Sequence, residues 1–417
     1  MTVTNNSGGP LPRPLEVLLG RFETSVLDLP ATVARIRLSV SGAGAWDLMV
    51  GRDAAEIRAA ELRRAPNALL DADSATWERL ASDLGGGMQA FRDGRLVVRH
   101  NLHLGVGFLA ATSGDTQPSR LRFDHVETAH GRVSLLTAGR GDPVLLMHGL
   151  GATKGSFLPT LAALAPAFRA IALDLPGFGD SYKPLQAAYH ARFFAGAIVD
   201  VLDALEIERV HLVGNSLGGR IALEVGLRYP DRVGRLVLLA PSLAWRRARP
   251  WAPLVRALRP ELGLVQVTPR WAVEAVVHRI LPTASSNWVR AGADEFLRAY
   301  LTPRGRVAFY AAARQIYLEE PHGAKGFWTR LAHLQPSALF VWGKQDWLVP
   351  IGFAAHVREV LPAAHHLELD CGHVPQLERP AETHDAMAGF LRAEPLHPSH
   401  SQRRRAQGEA RDETRGT

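Results

Sequence analysis

The sequence predicts an α/β protein in which a mostly parallel sheet, with helices on both faces and a helical cap, follows a smaller α+β domain. Beyond residue 121, short apolar segments alternate with segments of helical periodicity, as is typical of a parallel sheet. Before residue 115, short segments of period two predominate, as in half-buried strands. The 417 residues are enough for two domains, each with an apolar core of its own.

Composition and charge narrow the classes of partner. Hydrophobic residues make up 47% of the chain and charged residues 21%, which is typical of a soluble globular protein. The net charge of +7 comes from arginines spread along the chain, with one dense run at residues 403–405. No nucleic-acid-binding motif accompanies this charge, so we expect no nucleic acid partner. A weak attraction to acidic surfaces leaves transient membrane contact open.

The ends of the chain and its single cysteine predict a cytoplasmic protein. Residues 1–14 carry Pro, Gly and Asn where a signal peptide needs an apolar core, and no stretch approaches the ~18 apolar residues of a membrane span. Cys371 alone cannot form an internal disulfide, which fits a reducing compartment. We expect a flexible N-terminus (1–14), a first domain (15–115), a second domain (121–394) and a disordered tail (395–417). The oligomeric state stays open.

The first domain is predicted to contain short strands with one or two helices. Asp73 or Ser74 can cap a helix that runs through Trp77 and ends at the glycines 85–87. A shorter helix follows and ends at Gly94. Strands are predicted at residues 35–40, 46–50, 68–71, 96–98 and 102–109. Residues 111–121, rich in Gly, Ser, Thr, Asp and Pro, form the predicted linker.

Two segments of this domain resemble the sterol carrier protein (lipid-transfer) domain. They are D-A-D-S-A-T-W at residues 71–77 and G-M-Q-A-F-R-D-G-R-L-V-V at residues 87–98. The resemblance implies an apolar cavity for a lipid. The residues themselves allow a second interpretation, because apolar side chains more often fill a core than line a tunnel. The side chains in question are Met88, Phe91, Leu96, Leu102, Leu104 and Phe108.

The second domain is predicted to alternate strands with helices. Strands are expected at residues 122–127, 132–138, 143–147, 168–173, 210–213, 235–239, 338–342 and 365–369. Helices are expected at residues 157–165, 191–205, 220–229, 352–360 and 381–392. Between about 245 and 332 the alternation stops, and the pattern becomes helical and rich in Trp, Arg and Pro. This insertion is predicted to form a cap over the carboxyl ends of the strands.

A nucleophile elbow is predicted at residues 214–218, which read G-N-S-L-G between an apolar strand and a helix. Ser216 stands at the apex of the turn and is the candidate nucleophile. Side chains at Gly214 or Gly218 would collide across such a bend. The backbone N–H of Leu217, at the start of the helix, is the first candidate donor to an oxyanion.

A second turn offers the other half of an oxyanion hole. Residues 148–151 read H-G-L-G after an apolar strand. Gly149 and Gly151 let backbone N–H groups approach a bound carbonyl oxygen, and the N–H of Leu150 is the candidate donor. His148 is expected to brace this loop.

An acid and a base follow two later strands. Asp346 comes directly after the strand at 338–342, and His373 follows the strand at 365–369. Residues that act in open α/β sheets lie just beyond the carboxyl ends of strands, so these side chains are expected to meet Ser216. His373 would take the proton of the serine, while Asp346 would hold the imidazole. The competing groups are Asp370 and Glu368 as acids and Cys371 as nucleophile, and Asp174 is expected to be structural.

These motifs, in this order, resemble the α/β-hydrolase family over residues 121–394. The resemblance implies a Ser-Asp-His triad, an acyl-enzyme and no cofactor or metal. The motif G-N-S-L-G-G at residues 214–219 also resembles that of carbon–carbon bond hydrolases of ring-cleavage products, but those have tryptophan after the catalytic histidine, where this chain has Val374. A small lipophilic carboxylic ester is therefore the favoured substrate. Carbon–carbon bond hydrolysis, acyl transfer or perhydrolysis with the same triad, and non-catalytic lipid binding are the alternatives.

Overall fold

The computed structural model describes residues 3–27, 29, 33–52, 54–82, 87–114, 120–246, 249–257, 259–265, 269–393 and 396. No helix within these ranges combines the length and the apolar character that a membrane span requires. The predicted stop of a helix at Gly85 and Gly86, and the centre of the predicted linker, lie outside the described residues. The predicted disordered tail also lies outside them, apart from Leu396.

The N-terminal unit is built on a six-stranded sheet with four helices. Its strands are β1 (Thr4–Asn6), β2 (Val33–Val40), β3 (Gly44–Gly51), β4 (Ala55–Ala59), β5 (Ala68–Ala72) and β6 (Leu96–Arg99). Its helices are α1 (Arg13–Leu19), α2 (Ser74–Ser82), α3 (Gly87–Arg92) and α4 (Leu102–Ala111). The strand order is β1-β4-β3-β2-β5-β6. The predicted cap of α2 is confirmed, because the Asp73 carboxylate accepts a hydrogen bond from the N–H of Thr76 at 2.7 Å.

The prediction of a strand at residues 102–109 is wrong, because this segment forms α4. Its apolar residues are buried on every side, so they carry no helical periodicity to read. Asn101 caps the helix by accepting a hydrogen bond from the N–H of Leu104 at 3.1 Å. Gly105 lies so close to Val98 of β6 that a Cβ atom would overlap that side chain. The glycine therefore serves helix-to-sheet contact and not a strand.

Two further features of this unit differ from the predictions. Residues 1–14 were expected to be flexible, but they contain β1, which pairs in parallel with β4, and the first residues of α1. Strand β4 was not predicted. Its burial pattern alternates only over its first three residues and is exposed beyond them, which makes a weak signal.

The C-terminal unit is built on an eight-stranded sheet, and each predicted strand occurs. Its elements before the cap are β7 (Arg122–Thr128), β8 (Gly131–Ala138), β9 (Asp142–Met147), α5 (Leu158–Leu164), β10 (Phe168–Leu173), α6 (Ala191–Ala204), β11 (Val210–Asn215), α7 (Leu217–Arg228) and β12 (Val233–Leu239). After the cap come β13 (Ala338–Gly343), α13 (Phe353–Val360), β14 (His365–Leu369), α14 (Pro375–Glu378) and α15 (Pro380–Arg392). Strand order is β14-β13-β12-β11-β9-β10-β8-β7, antiparallel only where β8 meets its neighbours.

The cap lies between β12 and β13. It consists of α8 (Ala252–Ala257), α9 (Arg270–Ile280), α10 (Ser286–Tyr300), α11 (Pro303–Leu318) and α12 (Phe327–Leu331). Apolar side chains fill both faces of the large sheet, with Leu146 on one face and Met147 on the other. The Leu146 face continues without interruption into the N-terminal unit through Trp77 and Phe108, and into the cap through Trp288. The two sheets therefore share one apolar core.

Candidate active site

The turn between β11 and α7 holds Ser216 in a strained conformation. The residue has φ 54° and ψ −113°, in the half of φ space that residues with a Cβ atom rarely occupy. The turn closes so tightly that a Cβ atom at Gly214 would overlap the backbone of Gly218, and one at Gly218 would overlap the carbonyl oxygen of Met147. The N–H of Ser216 donates to the Leu239 carbonyl at 2.9 Å, which ties the turn to β12.

The helix after Ser216 presents backbone donors to the same place. Leu217 is the first residue of α7, and the first N–H groups of a helix have no partner inside it. The positive end of the helix dipole adds to their attraction for negative charge. The N–H of Leu217 stays the predicted donor to an oxyanion.

The loop at residues 148–151 lies directly beside this turn. A Cβ atom at Gly149 would be 3.2 Å from the Cβ of Ser216, and Gly149, Leu150 and Gly151 all line the same cavity as the serine. His148 is fully buried beneath the loop. Its Nε2 accepts from the N–H of Leu175 at 3.0 Å, so its Nδ1 is the protonated nitrogen that donates to the Gly149 carbonyl at 2.7 Å. Burial lowers the pKa of His148, which keeps this brace neutral.

Asp346 and His373 form a hydrogen-bonded pair. Nδ1 of His373 lies 2.7 Å from Oδ2 of Asp346. The other carboxylate oxygen accepts the N–H groups of Leu348 at 2.8 Å and Val349 at 3.0 Å, so the carboxylate is fixed by the backbone. Asn215, next to the serine, donates from Nδ2 to the His373 carbonyl at 3.0 Å. The loops after β11, β13 and β14 are thereby joined at one edge of the sheet.

The competing groups from the sequence lie elsewhere or are unreactive. Asp370 accepts a hydrogen bond from Gln345 at 2.8 Å and is exposed, while Glu368 pairs with Arg358 on the surface. Cys371 is fully buried, and burial raises the pKa of its thiol to about 12. The thiolate that a nucleophilic cysteine needs is therefore scarce at neutral pH.

Asp174 belongs to a buried ion cluster behind the active-site loops. Burial alone would raise the pKa of its carboxyl, but the ammonium of Lys154 at 2.7 Å overrides that effect and holds the pKa at about 2. Asp180 extends the cluster to Arg298 of the cap, whose Nη1 lies 2.6 Å away. The cluster therefore fixes loops and cap, as expected for a structural Asp174.

A cavity of about 650 Å³ opens beside Ser216 and His373. Most of its wall is aliphatic or aromatic, and much of that wall comes from the cap. The larger apolar contributors are Leu150, Trp245, Val273, Val276, Val277, Ile280, Trp288, Phe296, Tyr300, Phe309 and Ile316. Among the described residues that line it there is no lysine or arginine, and Glu295 is the one carboxylate. No group of His, Cys, Asp and Glu within the described residues is arranged to hold a metal ion.

The N-terminal unit contributes Leu102 to this cavity, which the sequence did not reveal. The N–H of Leu102 donates to Glu295 of α10 at 2.6 Å, and Arg99 pairs with Asp294 at 2.8 Å. On the same helix, Asn287 donates to the carbonyl of Phe91 at 2.6 Å. The N-terminal unit thus contacts α10 at Asn287, near its start, and again at Asp294 and Glu295, about two turns further on. The cap signal at Asn101, three residues before Leu104, is the feature of the sequence that could have placed α4 here.

Comparisons with known proteins show which family the chain matches. Residues 142–380 match the family described as alpha/beta hydrolase fold. The chain is 29% identical over 275 residues to the 2-hydroxymuconate semialdehyde hydrolase of Pseudomonas sp. (strain CF600), covering 62% of this chain and 90% of the relative. It is 28% identical over 284 residues to the 2-hydroxy-6-oxononadienedioate/2-hydroxy-6-oxononatrienedioate hydrolase of Escherichia coli, covering 66% of this chain and 97% of the relative.

The fold is also similar to solved structures. A membrane phospholipase A described as a bacterial virulence factor superposes with a TM-score of 0.56 at 24% identity, covering 75% of this chain and 92% of that one. At this identity the likeness concerns the fold alone.

Proposed function

This chain belongs to the α/β-hydrolase family, and from that premise we propose that it hydrolyses neutral, lipophilic carboxylic esters through an acyl-enzyme on Ser216. The observation that carries the proposal is the placement of the strained serine, the Asp346–His373 pair and the loop at 148–151 around one apolar cavity. The serine needs the other groups, because an unassisted serine hydroxyl is a poor nucleophile at neutral pH.

In the proposed reaction, Nε2 of His373 accepts the hydroxyl proton of Ser216 as Oγ attacks the ester carbonyl. The N–H groups of Leu217 and Leu150 stabilise the oxyanion of the tetrahedral intermediate. His373 then returns the proton to the departing alcohol, which leaves the acyl group on Ser216. In the second half, water gives a proton to His373 as its oxygen attacks the acyl carbon, and His373 passes that proton to Oγ of Ser216 as the acid leaves. Asp346 stabilises the imidazolium in both halves.

The wall of the cavity favours a neutral substrate. An anionic group carried into an apolar cavity loses hydration, and without a nearby cation that loss has no compensation. The described lining offers no lysine or arginine, and its one carboxylate, Glu295, already pairs with Arg298 at 3.0 Å. The cavity volume suits an acyl or aryl group of drug-like size.

Carbon–carbon bond hydrolysis of ring-cleavage products is the second candidate, and the relatives favour it. The substrate named for the Escherichia coli relative is a dicarboxylate, and muconate semialdehyde carries a carboxylate as well. An enzyme for such substrates needs a cationic or strongly donating anchor in its cavity. The lining of this cavity therefore supports the ester over the ring-cleavage product.

For the N-terminal unit we propose the role of a cavity wall that positions the cap, in preference to a separate lipid carrier. Of the apolar side chains that a carrier would use, those whose burial the structure describes are buried. Phe91, Leu96, Leu102 and Phe108 belong to the core shared by the two sheets. Of these, Leu102 faces the cavity beside Ser216, and so the substrate it would contact is the hydrolase substrate.

The proposal is tested with p-nitrophenyl esters of increasing acyl length. For comparison, one ester of the series is also made with a carboxylate at the end of its acyl chain. We expect turnover of the neutral esters and at least about a hundredfold lower kcat/KM for the carboxylate, since an unpaired buried charge costs several kcal/mol. A fluorophosphonate probe should label Ser216, and Ser216→Ala should abolish labelling and reduce turnover by about 10⁴–10⁶.

Two controls separate the alternatives. Ser242→Ala changes a second serine on the cavity wall and should leave labelling intact. Product analysis with added alcohol distinguishes hydrolysis from acyl transfer, since only the acceptor differs. Faster cleavage of a 2-hydroxy-6-oxo-dienoate than of any neutral ester would replace the proposal with the ring-cleavage reaction, and full activity of Ser216→Ala would reject the nucleophile.

A further inference from the structure

We infer that the outer surface of the cap docks on an anionic lipid bilayer and that lipophilic substrate enters the cavity beside α9. The docking surface consists of Trp251, Leu254, Leu262, Trp271, Val276 and Trp347 with the arginines around them, and we call it the cap surface. Only the identity of the substrate rests on the proposed function. The docking itself requires no hydrolysis and is tested separately.

Large apolar side chains are exposed on the cap to an unusual degree. Trp271 is 73% exposed and Trp251 is 65% exposed. Tryptophan is mostly buried in globular proteins, and exposed apolar groups that cluster mark interaction sites. Tryptophan is also the side chain that prefers the boundary between water and lipid.

Helix α9 connects this exposed surface with the cavity. Its inner face carries Val273, Val277 and Ile280, which line the cavity. Its outer face carries Trp271 and Arg279, which are exposed. Between the two faces, Val276 lines the cavity and is also 51% exposed, so it lies at the mouth.

Two further exposed apolar residues lie on segments that contact α9 or α11. Trp347 directly follows Asp346, its Nε1 donates to the Arg279 carbonyl at 3.1 Å, and the Arg279 guanidinium stacks on its ring at 4.7 Å. The segment that carries Leu262 packs on α11 at Tyr310, which lines the cavity. Segments with exposed apolar residues therefore contact two helices of the cavity wall, α9 and α11.

The charge of the cap selects an anionic partner. In the described residues between 249 and 306, the exposed charged side chains are six arginines and one glutamate, namely Arg256, Arg259, Arg270, Arg279, Arg290, Arg304 and Glu261. Arginines beside interfacial tryptophans are the pattern of surfaces that bind anionic headgroups. A second copy of the chain on this surface would instead bring arginines against arginines, which is unfavourable.

The test measures binding of the full-length Ser216→Ala protein to vesicles by sedimentation, so that no turnover alters the membrane. We expect binding to phosphatidylcholine–phosphatidylglycerol vesicles, at least about tenfold weaker binding to phosphatidylcholine alone, and weakening by salt. Adding Trp251→Ser and Trp271→Ser should reduce binding at least about tenfold. Leu62→Ser is the matched control, because Leu62 of the N-terminal unit is 76% exposed and should not matter.

An activity measurement in the active protein completes the test. Trp251→Ser with Trp271→Ser should leave turnover of a short water-soluble ester unchanged and slow turnover of an ester embedded in anionic vesicles. Equal binding to both vesicle types would overturn the inference, and so would an equal loss of vesicle binding with Leu62→Ser. It would also be overturned if the protein dimerised with increasing concentration and the two tryptophan changes abolished that dimerisation. If the protein binds the vesicles but cleaves no ester, the inference of membrane docking is kept and the proposed function is rejected.

Discussion

At the residue scale, the chemistry depends on which carboxylate holds the imidazole of His373. Asp346 contacts Nδ1 at 2.7 Å and is itself fixed by two backbone N–H groups. Asp370 lies three residues before the histidine in the chain but is exposed and bonded to Gln345. Proximity in the sequence and proximity in space thus favour different acids.

We therefore expect Asp346→Asn to reduce kcat by about 10⁴, because an amide favours the wrong imidazole tautomer and cannot stabilise the imidazolium. Asp370→Asn, the matched control, should stay within about threefold of the parent enzyme, since it removes only an exposed charge and its amide oxygen can still accept from Gln345. Turnover of a p-nitrophenyl ester measures both variants. If Asp370→Asn lost more activity than Asp346→Asn, the acid of the triad would be Asp370 and not Asp346.

The residues of the candidate site could be named from the sequence because each stands in a tight local pattern. Gly214 and Gly218 bracket the serine, and the structure shows that side chains at either position would overlap backbone. Such steric requirements leave a mark that is readable without the fold. Leu102 and Glu295 have no such mark, since their position on the cavity wall depends on contacts between residues far apart in the chain.

At the scale of elements, the pairing of α4 with α10 sets one end of the cavity. Leu102 and Leu104 lie on the same helix and are both buried, but only Leu102 lines the cavity. Leu104 instead packs with Ala34 and Ala68 of the small sheet. The two leucines therefore separate an effect on the cavity from an effect on stability.

We expect Leu102→Ala to shift the preferred ester to a longer acyl chain, because the change enlarges the cavity, and Leu102→Phe to shift it to a shorter one. Leu104→Ala should lower the free energy of unfolding by about 2–5 kcal/mol, as other buried leucines do, and leave the chain-length preference alone. The profile of kcat/KM against acyl length is the measurement. An unchanged profile in both Leu102 variants would remove this residue from the specificity wall.

The prediction of a strand at residues 102–109 failed for a reason that applies to other buried helices. A helix buried on every side shows no amphipathic period, and its leucines and valines favour a strand when read locally. The strands of the large sheet were predictable because parallel strands buried on both faces form short apolar runs with turns between them.

At the scale of the whole molecule, buried histidines make stability depend on pH. His384 of α15 lies 3.0 Å from the hydroxyl of Thr160 on α5, and burial lowers its pKa from 6.5 to about 4. Burial lowers the pKa of His148 and of His103 as well. In the unfolded chain these side chains take up protons near pH 6.5, so the unfolded state binds more protons than the folded state below that pH.

The free energy of unfolding should therefore fall as the pH falls from 6.5 to 4, with His384 alone contributing on the order of 3 kcal/mol. His384→Gln should flatten this dependence, while His333→Gln, at an exposed position, should leave it as in the parent protein. Urea unfolding at a series of pH values measures the slope. Identical slopes for the parent and His384→Gln would contradict the assignment.

Which parts of the chain would share a core could not be predicted from the sequence. Trp77, Leu146 and Trp288 belong to one apolar cluster although more than half the chain separates the first from the last. Local patterns indicate only that each segment has a buried face. What that face contacts is decided by the assembled sheets.

The grip of the N-terminal unit on α10 also has a consequence for synthesis on the ribosome. Asp294, the partner of Arg99, lies 195 residues later in the chain. At roughly 5–20 residues per second, the first unit waits on the order of 10–40 s for that partner to emerge from the exit tunnel. During this interval Phe91 and Leu102 lack their partners on α10, Trp288 and Glu295. Translation thus leaves the nascent chain with an exposed apolar edge for far longer than a small domain needs to fold, and such an edge is prone to aggregation.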